Sequence, residues 1–145
     1  MELGTAGAVL RYAIRLEGHS GDFYERAASL SKAPPNRKVF LSLAEARRKR
    51  QKVVERSRRE FVNEMLLEPI EGLEGSDGLL GTELSTGLDP RAVLQLAKEL
   101  EESSQKQYLD AAAKINHLPQ LARVFRKLGQ GNAEHRSSLD SLGDE

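Results

Sequence analysis

The chain has 145 residues, enough for one domain (1–145) with a single sizeable core. Its 22 basic and 22 acidic residues cancel, which excludes global steering toward nucleic acid or membrane, and the absence of cysteine excludes disulfides, thiol catalysis and Cys-ligated metal. No apolar run approaches membrane-spanning length and no charged segment followed by an apolar one opens the chain, so a soluble, cytoplasmic protein without a membrane partner is expected.

Punctuation in the sequence predicts four helices. The first runs from about Thr5 to Ser31 and is ended by Pro34-Pro35, because proline cannot continue a helix and restricts its predecessor. Asn36 is the expected cap of the second, which reaches toward Leu67 before Pro69. The stretch from Glu68 to Leu88 has five glycines (Gly72, Gly75, Gly78, Gly81, Gly87) and no basic residue. Leu73, Leu79, Leu80, Leu84 and Leu88 are spaced through it, so it is expected to pack as a strap along the outside of the helices. Asp89-Pro90, a cap followed by proline in the first turn, starts the third helix, which ends near Asn116. Pro119 opens the fourth, which runs to about Leu142. Short turns join helices one and two and helices three and four, so each pair should be an antiparallel hairpin. The long 68–88 connection between them makes the expected architecture an all-α, antiparallel four-helix bundle with one crossover.

The two hairpins share a spelling. Ala13-x-x-x-Glu17 is followed by Tyr24 and Ala27-Ala28; Ala97-x-x-x-Glu101 is followed at the same intervals by Tyr108 and Ala111-Ala112. Phe40-x-x-Leu43-Ala44 in helix two is mirrored by Phe125-x-x-Leu128-Gly129 in helix four. Residues spaced alternately three and four apart share a helical face. On that face every helix is apolar at its ends and polar at its middle: Glu17 and Ser20 in the first, Arg47, Arg50 and Ser57 in the second, Glu101 and Ser104 in the third, Asn132 and His135 in the fourth. Four interruptions at matching levels point to one buried polar layer, with the Tyr24 and Tyr108 hydroxyls reaching it. His19 and His117 fall outside that layer and are given no role.

This pattern, over nearly the whole chain, resembles the diiron domain of rubrerythrins and the wider ferritin-like diiron-carboxylate family. The resemblance implies a Glu on helices one and three and Glu-x-x-His on helices two and four, holding two irons between them. The acids of helices one and three carry over as Glu17 and Glu101, and the histidine of helix four as His135. The three remaining positions depart from the pattern: Arg47 and Arg50 replace the Glu and His of helix two, and Asn132 replaces the Glu of helix four. The family-matched metal set is thus Glu17, Glu101 and His135, with iron as the metal if one is bound. The resemblance also implies a homodimer.

The departures are chemically consistent with one another. Buried carboxylates without metal repel each other and lose hydration, and two guanidinium groups would supply the missing positive charge. No cofactor and no catalysis are then expected, and the role would be structural or that of binding a protein partner not identifiable from sequence. Two alternatives stand beside this reading. One is a rubrerythrin-type oxidoreductase that reduces peroxide or oxidises iron with the residual ligands. The other is anion or nucleic-acid binding through helix two, where Arg37 to Arg59 holds ten basic residues and only Glu45 and Glu55 as acids. Nucleic acid is the weaker of the two because no aromatics are interleaved for base stacking. The expected exposed cations are Arg48, Lys49, Lys52, Arg56 and Arg59. Their expected counter-charges are the crossover acids Glu68, Glu71, Glu74, Asp77 and Glu83, or a second subunit.

Overall fold

The computed structural model describes residues 2–61, 69–80, 84 and 88–143. Thr5 adopts an extended backbone and its Oγ1 accepts the Ala8 amide at 3.1 Å, opening α1 (Ala6–Leu30). Pro34-Pro35 not only follows the end of α1 but begins α2 (Pro34–Glu60), since a first-turn proline lacks an amide that would have no partner there anyway. Asn36 is therefore not the cap expected of it. It is buried within the first turn, and its Nδ2 donates to the Gly143 carbonyl at 3.0 Å, tying the start of α2 to the end of the chain's last helix. The expected extension of helix two through 62–67 lies outside the described residues.

Asp89 Oδ1 accepts the Arg91 amide at 2.8 Å and caps α4 (Pro90–Lys114), as its place before Pro90 predicts. After a short turn Pro119 begins α5 (Pro119–Asp140). α1 packs on α2 and α4 on α5 as two hairpins, and the hairpins close on each other through α1–α4 and α2–α5.

The crossover contains an element that its composition hides, the single-turn helix α3 (Asp77–Leu80), which touches both α1 and α4. Ile70, Leu73, Leu79 and Leu80 are buried in the common core, and Leu84 and Leu88 pack partly against it, so the crossover's apolar residues extend the core rather than merely lying over it. The first residues of the chain hold it in place: the Leu3 amide donates to the Leu73 carbonyl at 3.0 Å and the Ile70 amide to the Gly4 carbonyl at 2.9 Å. Tyr12 adds a hydroxyl bond of 2.7 Å to the Ser76 carbonyl, and Gly75 lies so close to the Tyr12 ring that a Cβ there would meet it at 2.6 Å. Glu68, Gly81, Glu83 and Gly87 of the expected crossover lie outside the described residues. Among those described, no helix is long and apolar enough to cross a membrane.

The described part of the crossover thus lies on the α1–α4 side of the bundle. Leu10, Leu16, Ala97, Ile115, Leu121, Phe125 and Leu139 are among the fully buried core residues. Amid this core sit Glu17, Arg47, Glu101, Ser104 and Asn132, all buried.

Candidate functional site

Glu17, Arg47 and Glu101 are each 0 % exposed, and desolvating three charges is costly unless each finds partners. Arg47 supplies them in one stroke. Its Nη1 donates to Glu17 Oε2 and its Nη2 to Glu101 Oε2, both at 2.8 Å, so one guanidinium clamps the acids of α1 and α4 together. Nη2 also reaches Ser104 Oγ at 3.1 Å. Arg50, one turn further along α2, donates from Nε to Glu17 Oε1 at 2.9 Å, and its Nη2 forms an ion pair with the same oxygen at 2.8 Å.

The second half of the site comes from α5. Asn132 Nδ2 and His135 Nδ1 both lie 2.8 Å from Glu101 Oε1, and Asn132 Oδ1 accepts from Arg50 Nη2 at 3.2 Å, joining the two halves. The tyrosines cross between hairpins. Tyr24 of α1 donates to Glu101 Oε2 of α4 at 2.6 Å, and Tyr108 of α4 donates to Glu17 Oε1 of α1 at 2.9 Å. Their rings rest on the matching phenylalanines: Tyr24 stacks on Phe40 at 6.2 Å and Tyr108 lies beside Phe125 at 5.9 Å between centroids. Arg50 also sits over the Tyr108 ring, 5.5 Å from its centroid.

Electrostatics follow from this packing. Burial works to raise the Glu101 pKa, but the Arg47 charge, then the His135 and Tyr24 bonds, outweigh it and hold the carboxyl well below the ordinary range. Burial likewise opposes the charge on Arg47, and Glu101 and Glu17 overcome it, so the guanidinium stays ionised. Burial and then the neighbouring carboxylate push both phenols well up: Glu101 acts on Tyr24 and Glu17 on Tyr108. Both tyrosines are neutral donors.

Of the residues expected in the polar layer, Glu17, Tyr24, Arg47, Arg50, Glu101, Tyr108, Asn132 and His135 meet in one hydrogen-bonded network, whereas Ser57 Oγ donates within its own helix to the Val53 carbonyl at 3.0 Å. Ser104 joins them as a partner of Arg47, a role signalled only by its place one turn after Glu101. Its counterpart in the first hairpin, Ser20, is buried, and among the described residues its Oγ has no partner, nor do the buried Arg47 Nε and Arg50 Nη1. Among the described residues no group of three or more His, Asp or Glu side chains is placed to hold a metal ion.

The basic helix divides differently from the expectation. Arg48 is not an exposed cation: it is partly covered against α1, where it pairs with Asp22 and Glu25 and donates to the Gly18 carbonyl at 3.0 Å. Its counter-charges thus come from the adjacent helix rather than the crossover. Lys49, Lys52, Arg56 and Arg59 are exposed as expected, with Lys49 in an i,i+4 pair with Glu45.

No protein-family model and no curated protein sequence matches the chain. The structure is similar to the crystal structure of a Thermotoga maritima protein described as a ferritin-like diiron-carboxylate protein. The TM-score is 0.75 over 96 % of this chain and 94 % of that one, with 20 % of residues identical. At that identity the likeness speaks to architecture and not to site chemistry. Taken with the paired hairpins and the single crossover, it shows that this chain has the fold of the ferritin-like diiron-carboxylate proteins.

Proposed function

We propose that this protein is a ferritin-like bundle whose central site is a guanidinium–carboxylate network in place of two irons, and that it acts without catalysis, through structure or partner binding. One observation carries the reading. The buried Arg47 guanidinium lies between Glu17 and Glu101 at 2.8 Å from each, where a bridging cation would otherwise satisfy both acids. A side chain that donates to both carboxylates competes with any metal for the same lone pairs. The donor set fits two irons poorly for a second reason. Two of the six family positions are cationic and one is a neutral amide, leaving Glu17, Glu101 and His135, each already bonded within the network.

The test is metal analysis of protein purified without chelator and then offered Fe²⁺ under anaerobic conditions. The expected result is metal well below one equivalent per chain. About one or two equivalents, lost in Glu101→Ala or His135→Ala, would instead support a rubrerythrin-type oxidoreductase working with the residual ligands.

A further inference from the structure

The described part of the crossover lies against α1 and α4, and between α2 and α5 lies a groove of about 470 Å³. That volume falls in the range of about 300–1,000 Å³ typical of small-ligand sites. Its walls are apolar: Val53, 43 % exposed, on α2, and Val124 and Leu128 on α5. Its polar lining is basic, with Arg50 and His135 inside and Lys127 at the exposed rim, and no acid is among the lining residues.

Arg50 gives the groove its chemistry. The Nε and Nη2 of its guanidinium are committed to Glu17 and Asn132, but Nη1 is buried without a partner among the described residues. A charged donor left without an acceptor is a standing cost, and a small turn of the Arg50 side chain toward an acceptor in the groove would remove it. Gly131 is what allows the guanidinium to lie against α5: a Cβ there would come within 3.2 Å of Nη1, tighter than ordinary contact. The network itself needs neither Lys127 nor the valines.

We propose that the α2–α5 groove binds a small amphipathic monocarboxylate, with its head between Arg50 and Lys127 and its tail along Val53, Val124 and Leu128. One carboxylate has two oxygens for two cationic donors, and the apolar walls reward a short alkyl or aryl tail. A free phosphate or sulfate would leave those walls wet. An alkylammonium of the same tail would meet like charges. The inference goes beyond the metal-free reading, since it concerns the outer face of the network.

The experiment is calorimetric titration of the full chain, treated with chelator so that adventitious metal cannot hold the acid, with octanoate and with octylammonium. Octanoate is expected to saturate at one equivalent, and octylammonium not to bind. Lys127→Glu and Val53→Asp alter exposed positions outside the network, and each is expected to weaken octanoate by at least about tenfold. Absence of saturable octanoate binding, equal binding of octylammonium, or unchanged affinity in either variant would overturn the proposal.

Discussion

Arg47 is charged where no water reaches, so its worth depends wholly on the two carboxylates it holds. Removing any one member strands the others. Glu17→Ala would leave Arg47 and Arg50 short of an acceptor and the Tyr108 hydroxyl without its partner. The expected cost is about 3–5 kcal/mol, read by urea unfolding; an unchanged midpoint would sink the buried network. Tyr108→Phe deletes a single bond to a charged group and should cost less, about 1.5–3 kcal/mol. Acid sensitivity should follow Glu101. Its folded-state pKa lies below its unfolded value, so its contribution is complete above the ordinary carboxylate value of about 4.3 and is lost as pH falls from there through the folded value. Unfolding free energy measured at descending pH should therefore decline below that point, and less steeply in Glu101→Gln. At this scale the layer's membership was legible, because each polar residue interrupts an apolar stripe. The bonding was not: that Tyr24 bonds Glu101, across the hairpins, depends on side-chain directions that periodicity does not encode.

The helices were readable wherever punctuation was local. Thr5 before α1, Asp89-Pro90 before α4 and Pro119 before α5 each act through their own backbone, and each boundary falls within a few residues of expectation. Asn36 misled because capping chemistry and N-terminal proline compete for the same turn, and Pro34 took the first position. α3 was hidden by its length, since four residues are too few to show a period. Nor did composition reveal that residues 2–5 pair with the crossover, because isolated bridges rest on backbone groups that every residue carries. Two predictions separate these effects. Thr5→Ala removes only a cap and should cost about 1 kcal/mol of global stability. Tyr12→Phe removes the anchor at Ser76, so hydrogen exchange should speed up in the crossover amides with little change in the α4 and α5 amides. Equal acceleration throughout would mean that the crossover opens only with the whole bundle.

Across the molecule the two hairpins are chemical variations on one plan. Glu17 and Glu101, Ser20 and Ser104, Tyr24 and Tyr108, and Phe40 and Phe125 occupy matching places, while Arg47 in one hairpin corresponds to Asn132 in the other and Arg50 to His135. The repeat makes the bundle legible in the sequence itself, and the asymmetry in α2 and α5 gives the centre its present character. If that asymmetry alone keeps metal out, reversing it should let metal in. The triple variant Arg47→Glu, Arg50→His, Asn132→Glu removes both guanidiniums and adds two acids. Without metal its crowded carboxylates repel and are desolvated, so it should melt well below the parent chain. Divalent metal binding only the folded form would then raise its melting temperature in proportion to the logarithm of free metal, whereas the parent should not respond. A triple variant that is folded yet indifferent to metal would show that the backbone no longer brings these positions to ligand distance. The arginines would then be a consequence of an altered scaffold rather than the reason metal is excluded.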